Sequence, residues 1–96
     1  MTETEADPTH TRLDIWLWRA RFFKTRRLST DWITKRGIRV TRAGQTRKIH
    51  KAGTHICIGD VLTFGKTMHI RTVEVLEIGT RRGPAKEAEL LYQDLA

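Results

Sequence analysis

RLDIWLWRARFFKTRRLSTDWITKRGIRV, residues 12–40, decides how this chain is read. Extended to Lys51, the stretch holds 13 of the 18 Lys and Arg residues and only Asp14 and Asp31 of the 11 acids. Its net charge is +11, whereas the other 56 residues, with five basic and nine acidic groups, carry −4. The overall +7 therefore hides a segregation. A basic block that also has helical periodicity is the footprint of a nucleic-acid-binding surface.

The same stretch sets the local structure. Thr11 and Asp14 have capping-box spacing, with Asp in place of the usual Glu or Gln, which predicts a helix beginning at Arg12. Leu13, Trp16, Leu17 and Ala20 form one apolar stripe, while Ile15, Trp18 and Phe22 fall on the other side. A helix apolar on more than one face lies between other elements. Thr25 is the expected N-cap of a second helix through Arg36. Leu28 and Trp32 share a face of it, with Ile33 beside them. Arg27, Asp31 and Lys35 make a solvated stripe. Gly37 suits the position that closes the helix.

Outward from this block the pattern weakens. Ile38 to Thr41 reads as a strand, and residues 42–53 read as a basic loop with a short extended piece. Gly59-Asp60 marks a turn before a strand at Val61 to Phe64. Residues 69–78 are rich in β-branched side chains, and their alternation slips between Val75 and Leu76, which predicts a bulge or a strand covered on both faces. After the basic turn Gly79 to Gly83, Pro84 opens a helix expected over 84–95, with Ala85, Ala88, Leu91, Tyr92 and Leu95 on one face. That helix is expected to cover Trp18 and Phe22. Residues 1–10 have little to bury and are expected to form a disordered leader. Residues 11–96 then make one α+β domain, which 96 residues allow.

Several classes of function are disfavoured. No apolar run approaches membrane-spanning length, and the N-terminus resembles neither a secretory signal nor a transit peptide, so a cytoplasmic protein is the default. Cys57, the only cysteine, cannot form an internal disulfide. His50, His55, Cys57 and His69 match no zinc spacing, and ordinary strand residues account for them better. No cofactor or nucleophile motif occurs, and no enzyme activity is expected. Trp16 and Trp32 read as core. Trp18 could stack on a base, but cover by the last helix accounts for it better.

The basic residues concentrate at the helix–helix connection (Lys24, Arg26, Arg27), at the end of the second helix (Lys35, Arg36), and along the next strand and loop (Arg39, Arg42, Arg47, Lys48, Lys51). Thr25 places a hydroxyl and a helix N-terminus beside Lys24 and Arg26, a ready anion site. These are positions from which donors converge on phosphates.

Read together, Arg12-Leu13-Asp14, Trp16-Leu17, Ala20-Arg21, Lys24-Thr25-Arg26, Ile33, Gly37, Val40 and Gly59-Asp60-Val61 resemble the S4-type RNA-binding domain. Arg12 to Arg26 and Thr80 to Tyr92 (TRRGPAKEAELLY) look more specifically like the bacterial heat-shock protein 15 family. That resemblance implies an S4-like L of two helices and a strand on a small, mostly antiparallel sheet, with a C-terminal helix. It implies a protein that binds ribosomal RNA on free large ribosomal subunits blocked by nascent chain-tRNA and helps to hold or reposition that tRNA. The chain itself is expected to be a monomer. The RNA-facing residues it implies are Arg12, Lys24, Thr25, Arg26, Arg27, Arg36, Arg39 and a basic residue of the 47–51 loop. The chain departs from the family pattern at Thr41 to Ala52, where an Asn-Gly and a Lys-Pro-Ser-like turn are usual. Many members carry a longer basic C-terminal tail, whereas this sequence stops at Ala96. S4-type domains also precede RNA-modifying catalytic domains, so an accessory module for such an enzyme is one rival. A DNA-binding helix pair is the other. It ranks lower because the second helix runs into a strand.

Overall fold

Helix α1 (Leu13–Arg19) and helix α2 (Arg26–Arg36) form the scaffold that the apolar spacing predicts. The computed structural model describes residues 9–66 and 68–95. Leu13, Trp16 and Leu17 are fully buried on α1, and the Trp16 indole N–H donates to the Glu77 carbonyl at 2.8 Å. Phe22, beyond the helix, packs on Trp16, Phe64 and Tyr92. The helix is enclosed from several sides, as its all-round apolarity requires.

The start of α1 differs from the expected capping box. Thr11 lies in strand β1 (His10–Arg12), and Arg12 is the N-cap without a side-chain cap bond. A helix start needs acceptors for its first N–H groups. A distant loop supplies them: the Thr54 and Ala52 carbonyls accept from Leu13 and Asp14 at 2.8 and 3.2 Å. The Asp14 carboxylate accepts the next N–H, that of Ile15, at 2.8 Å. At the other end Arg21 has φ +66, and the Arg21 and Phe22 N–H groups reach the Trp18 and Leu17 carbonyls. This is a Schellman closure with arginine where glycine is usual.

Thr25 caps α2 as expected, its Oγ1 accepting from the Leu28 N–H at 3.0 Å, and Gly37 ends the helix at φ +76. The buried face of α2 is Ser29 and Ile33, with Trp32 partly buried, rather than Leu28, which is 51% exposed. Ser29 is small enough to let the helices meet, and its hydroxyl donates to the Asp14 carbonyl at 3.0 Å.

Strands β2 (Ile38–Arg42), β3 (Gln45–Ile49), β5 (Val61–Lys66), β6 (His69–Val75) and β7 (Tyr92–Asp94) make one antiparallel sheet in the order β3-β2-β5-β6-β7. Strand β4 (His55–Cys57) pairs only with β1 in a separate ribbon. Ile38, Val40, Leu62, Phe64, Val73 and Val75 carry the sheet's share of the core.

Three expectations are corrected here. The loop expected over 42–53 is a hairpin: Ala43 and Gly44 both have positive φ, +52 and +79, as a type I′ turn needs, and β3 pairs with β2. QTRKI lacks alternation because β3 is an edge strand with only Ile49 on the core. The slip at Val75-Leu76 marks the end of β6, where the Leu76 and Glu77 N–H groups turn to the Leu91 carbonyl. Finally, the helix expected over 84–95 is one turn, α3 (Ala85–Ala88), followed by a 3-10 turn at Glu89–Leu91 and then β7. Pairing with the open edge of β6 satisfies more backbone groups than a short terminal helix does, and the Leu95 N–H extends it to Thr72. Of the leader expected over residues 1–10, residues 1–8 lie outside the described residues, while Thr9 is in a turn and His10 is already in β1.

Candidate nucleic-acid interface

Folding divides the 13 basic residues of Arg12–Lys51 into two groups. Four are held by the protein itself. Arg12 makes a two-pronged pair with Asp14, Nε to Oδ1 at 3.0 Å and Nη2 to Oδ2 at 2.9 Å. Arg42 does the same with Asp60 at 2.8 and 2.7 Å, and Asp60 also accepts the Cys57 N–H. Arg19 and Arg21 donate to the Gly79 and Gly83 carbonyls and tie α1 to the 79–83 turn. Arg82 returns the tie to the Trp18 and Phe23 carbonyls. Above the Trp18 indole itself lies Arg26, at 5.9 Å.

The electrostatics follow from these pairs. Burial alone would raise the Asp14 carboxyl, but the Arg12 hydrogen bonds, the Thr30 hydroxyl, the Arg12 charge and the Ile15 N–H outweigh it and hold the carboxyl below its usual range. Hydrogen bonding to Asp14 and to Asp60 raises Arg12 and Arg42 respectively. Burial, and then the nearby Arg26 charge, lower Arg19.

The other nine are Lys24, Arg26, Arg27, Lys35, Arg36, Arg39, Arg47, Lys48 and Lys51, all exposed. Among the described residues, only Arg27 has a carboxylate within reach, Asp31 at 4.0 Å. Lys24, Arg26 and Arg27 stand at the start of α2, around the Thr25 cap. Lys35 and Arg36 occupy its last turn, where cations complement the helix dipole, and Arg36 lies over the Trp32 ring at 4.7 Å. The β2–β3 register places Arg39 directly opposite Lys48, on the sheet face away from the core. Like charges directly opposite on a sheet destabilise it, and an anion between or above this pair would relieve the repulsion. The side chains of Lys48 and His50 pass close to Gly37 at the end of α2, which joins the hairpin face to the helix.

The expected site residues do not all converge. Arg47 pairs with Val40 in the register and lies on the opposite sheet face from Lys48, over a groove of about 280 Å³ shared with Arg42, Ile49 and His55. Lys51 sits in the loop that caps α1, its carbonyl accepting from Thr54. Arg12 is spent mainly on Asp14. The sequence reading missed Asp60, taken as a turn residue, and Ser29. The roles of both lack a local signal, because Arg42 and Asp14, the partners that define them, are distant in the chain.

Two capped helices leading into a twisted hairpin, with cations on the helix and hairpin faces, define a protein of the S4 class. The S4 domain family matches residues 11–40, from β1 into β2. The chain belongs to the heat shock protein 15 family. It is 33% identical to heat shock protein 15 of Vibrio cholerae, whose solved structure is trimeric, with a TM-score of 0.75 over 91% of this chain and 83% of that one. It is 40% identical over 92 residues to heat shock protein 15 of Escherichia coli K12, covering 96% of this chain and 65% of the relative. The Aeromonas salmonicida homolog is 40% identical over 86 residues, covering 90% and 61%. The chain thus spans under two thirds of the length of these last two relatives.

Proposed function

We propose that the chain binds structured ribosomal RNA of the large ribosomal subunit, through the outer side of α2 and the outer face of the β2–β3 hairpin. The observation that carries this reading is the set of exposed cations along those two elements, of which only Arg27 has a carboxylate within reach among the described residues, with Arg39 held against Lys48. A-form RNA hides its base edges in a deep, narrow groove, so phosphate and shape contacts dominate. The reading is one of binding without catalysis, in the cytoplasm, on subunits that still carry nascent chain-tRNA. The family relationship supports the ribosomal setting.

Titration against large-subunit RNA tests it. With roughly five phosphates neutralised, affinity falls with a log–log salt slope of about −4. Changing Lys24, Arg26 and Arg27 together to Ala weakens binding and flattens the slope by about two to three, with the melting temperature nearly unchanged. Binding that ignores salt would overturn the reading, and a large loss of stability would make the three residues structural. Sedimentation of cell extract places the protein with free large subunits if the ribosomal assignment is right, and in ribosome-free fractions if it is wrong. For the oligomeric state, the expected monomer stands against the trimeric Vibrio relative, and sedimentation velocity of this chain separates the two.

A further inference from the structure

A groove of about 480 Å³ runs along the outer side of α2. Its floor is apolar: Phe23, Leu28 and Trp32. Its rim is cationic, with Lys24 at one end and Lys35 and Arg36 at the other. One acid, Asp31, borders it and leans towards Arg27. Leu28 follows the Thr25 cap and is half exposed, although the helix has Ser29 and Ile33 to bury. Trp32 stacks against Phe23, with ring centroids 5.7 Å apart, and carries Arg36 on its ring at 4.7 Å. Its indole N–H is shielded from solvent and has no acceptor among the described residues.

We propose that this groove receives a single unpaired nucleobase of the bound RNA, with Lys24, Lys35 and Arg36 holding the phosphates on either side of it. This rests on the RNA-binding reading and adds a specificity to it. The volume lies in the range of small-ligand pockets, which are apolar with a few polar groups at the edge. An apolar floor between cations spaced along one helix face suits a flat base joined to two phosphates. Single-strand and loop recognition uses aromatic and guanidinium planes in this way. The charge of the rim argues against a second copy of this basic chain as the occupant.

The test uses two RNA hairpins that differ only in one bulged nucleotide, which is 2-aminopurine, and a third in which that nucleotide is an abasic ribose. The full chain is titrated with each at fixed salt. The bulged hairpin is expected to bind about tenfold or more tighter than the fully paired one, with the 2-aminopurine fluorescence quenched, and the abasic version loses the gain. Leu28→Asp removes the advantage of the bulge. Because Leu28 is half exposed, the variant melts close to wild type, and since its added negative charge weakens binding of the paired and bulged hairpins alike, the ratio of the two affinities is what is read. Leu28→Met, which keeps the apolar floor, retains the advantage. Equal affinity for bulged and paired hairpins, both salt-dependent, overturns the groove assignment and leaves the RNA-binding reading standing. No binding to any of the three overturns both. A Leu28→Asp variant that sediments as a smaller species than wild type assigns the groove to self-association instead.

Discussion

Replacing Asp14 tests whether Arg12 serves the fold or the RNA. Its carboxylate accepts from Arg12 Nε and Nη2 at 3.0 and 2.9 Å, from the Ile15 N–H at 2.8 Å and from the Thr30 hydroxyl at 2.9 Å. Asp14→Ala strands the Ile15 N–H in the first turn of α1, at about 1–3 kcal/mol. The Thr30 hydroxyl loses less, because the Arg26 carbonyl lies 3.1 Å away as a second acceptor. The Arg12 side chain is 47% exposed, so its half of the pair is discounted to about 0.5–1 kcal/mol. The sum is about 3 kcal/mol, a drop of roughly 15 °C in Tm for a domain of this size. Asp14→Asn keeps an acceptor for Ile15 and loses the charge, so it falls roughly 5 °C. The carboxyl is held below its unfolded value of 3.8, so its stabilisation is complete above that pH and is lost as pH falls through the folded value. The gap between wild type and Asp14→Asn is therefore full at neutral pH and closes below about pH 4. Thermal denaturation by circular dichroism across this range reads both effects. Arg12→Ala lowers Tm modestly, and adding it to Asp14→Ala costs almost nothing further. An Arg12→Ala variant that melts with wild type yet loses RNA affinity would refute the reasoning and return Arg12 to the interface.

Two further substitutions check the backbone. Gly37→Ala forces a side chain into φ +76 and brings its Cβ within 3 Å of Lys48 and His50, and is expected to cost about 1–3 kcal/mol in urea unfolding. An unchanged midpoint would mean that the helix end relaxes freely. Ala43→Asn fits φ +52 better and stabilises the hairpin turn by about 1 kcal/mol, and a lower Tm would show that the turn is not of the type I′ form.

Residues 12–40 show how far the sequence could be read. Both helices, the Thr25 cap, the Gly37 stop and the segregation of charge depend on neighbours within a few positions, and those are visible in a linear pattern. The apolar stripe of α1 likewise announces burial whatever packs on it. Strand β3 could not be read this way, because an edge strand with one core residue needs no alternation. The end of the chain misled for the opposite reason. Ala85 to Leu95 keeps a helical spacing, but the open edge of β6 claims the backbone from Tyr92 on.

The positively charged stretch was thus determined by sequence, and so was the two-helix frame that displays it. Which cations are available was decided only by the tertiary structure. Arg12, Arg19, Arg21 and Arg42 are indistinguishable in the sequence from the nine that stay exposed, only one of them with a carboxylate in reach among the described residues. Folding brings Asp14, Asp60 and the Gly79 and Gly83 carbonyls to them. A guanidinium meeting a fixed carboxylate or carbonyl is held by it, whereas those projecting from α2 or the outer hairpin face stay exposed, with at most a ring or the distant Asp31 carboxylate beside them among the described residues. That division rests on contacts between residues far apart in the chain, and no local pattern encodes it.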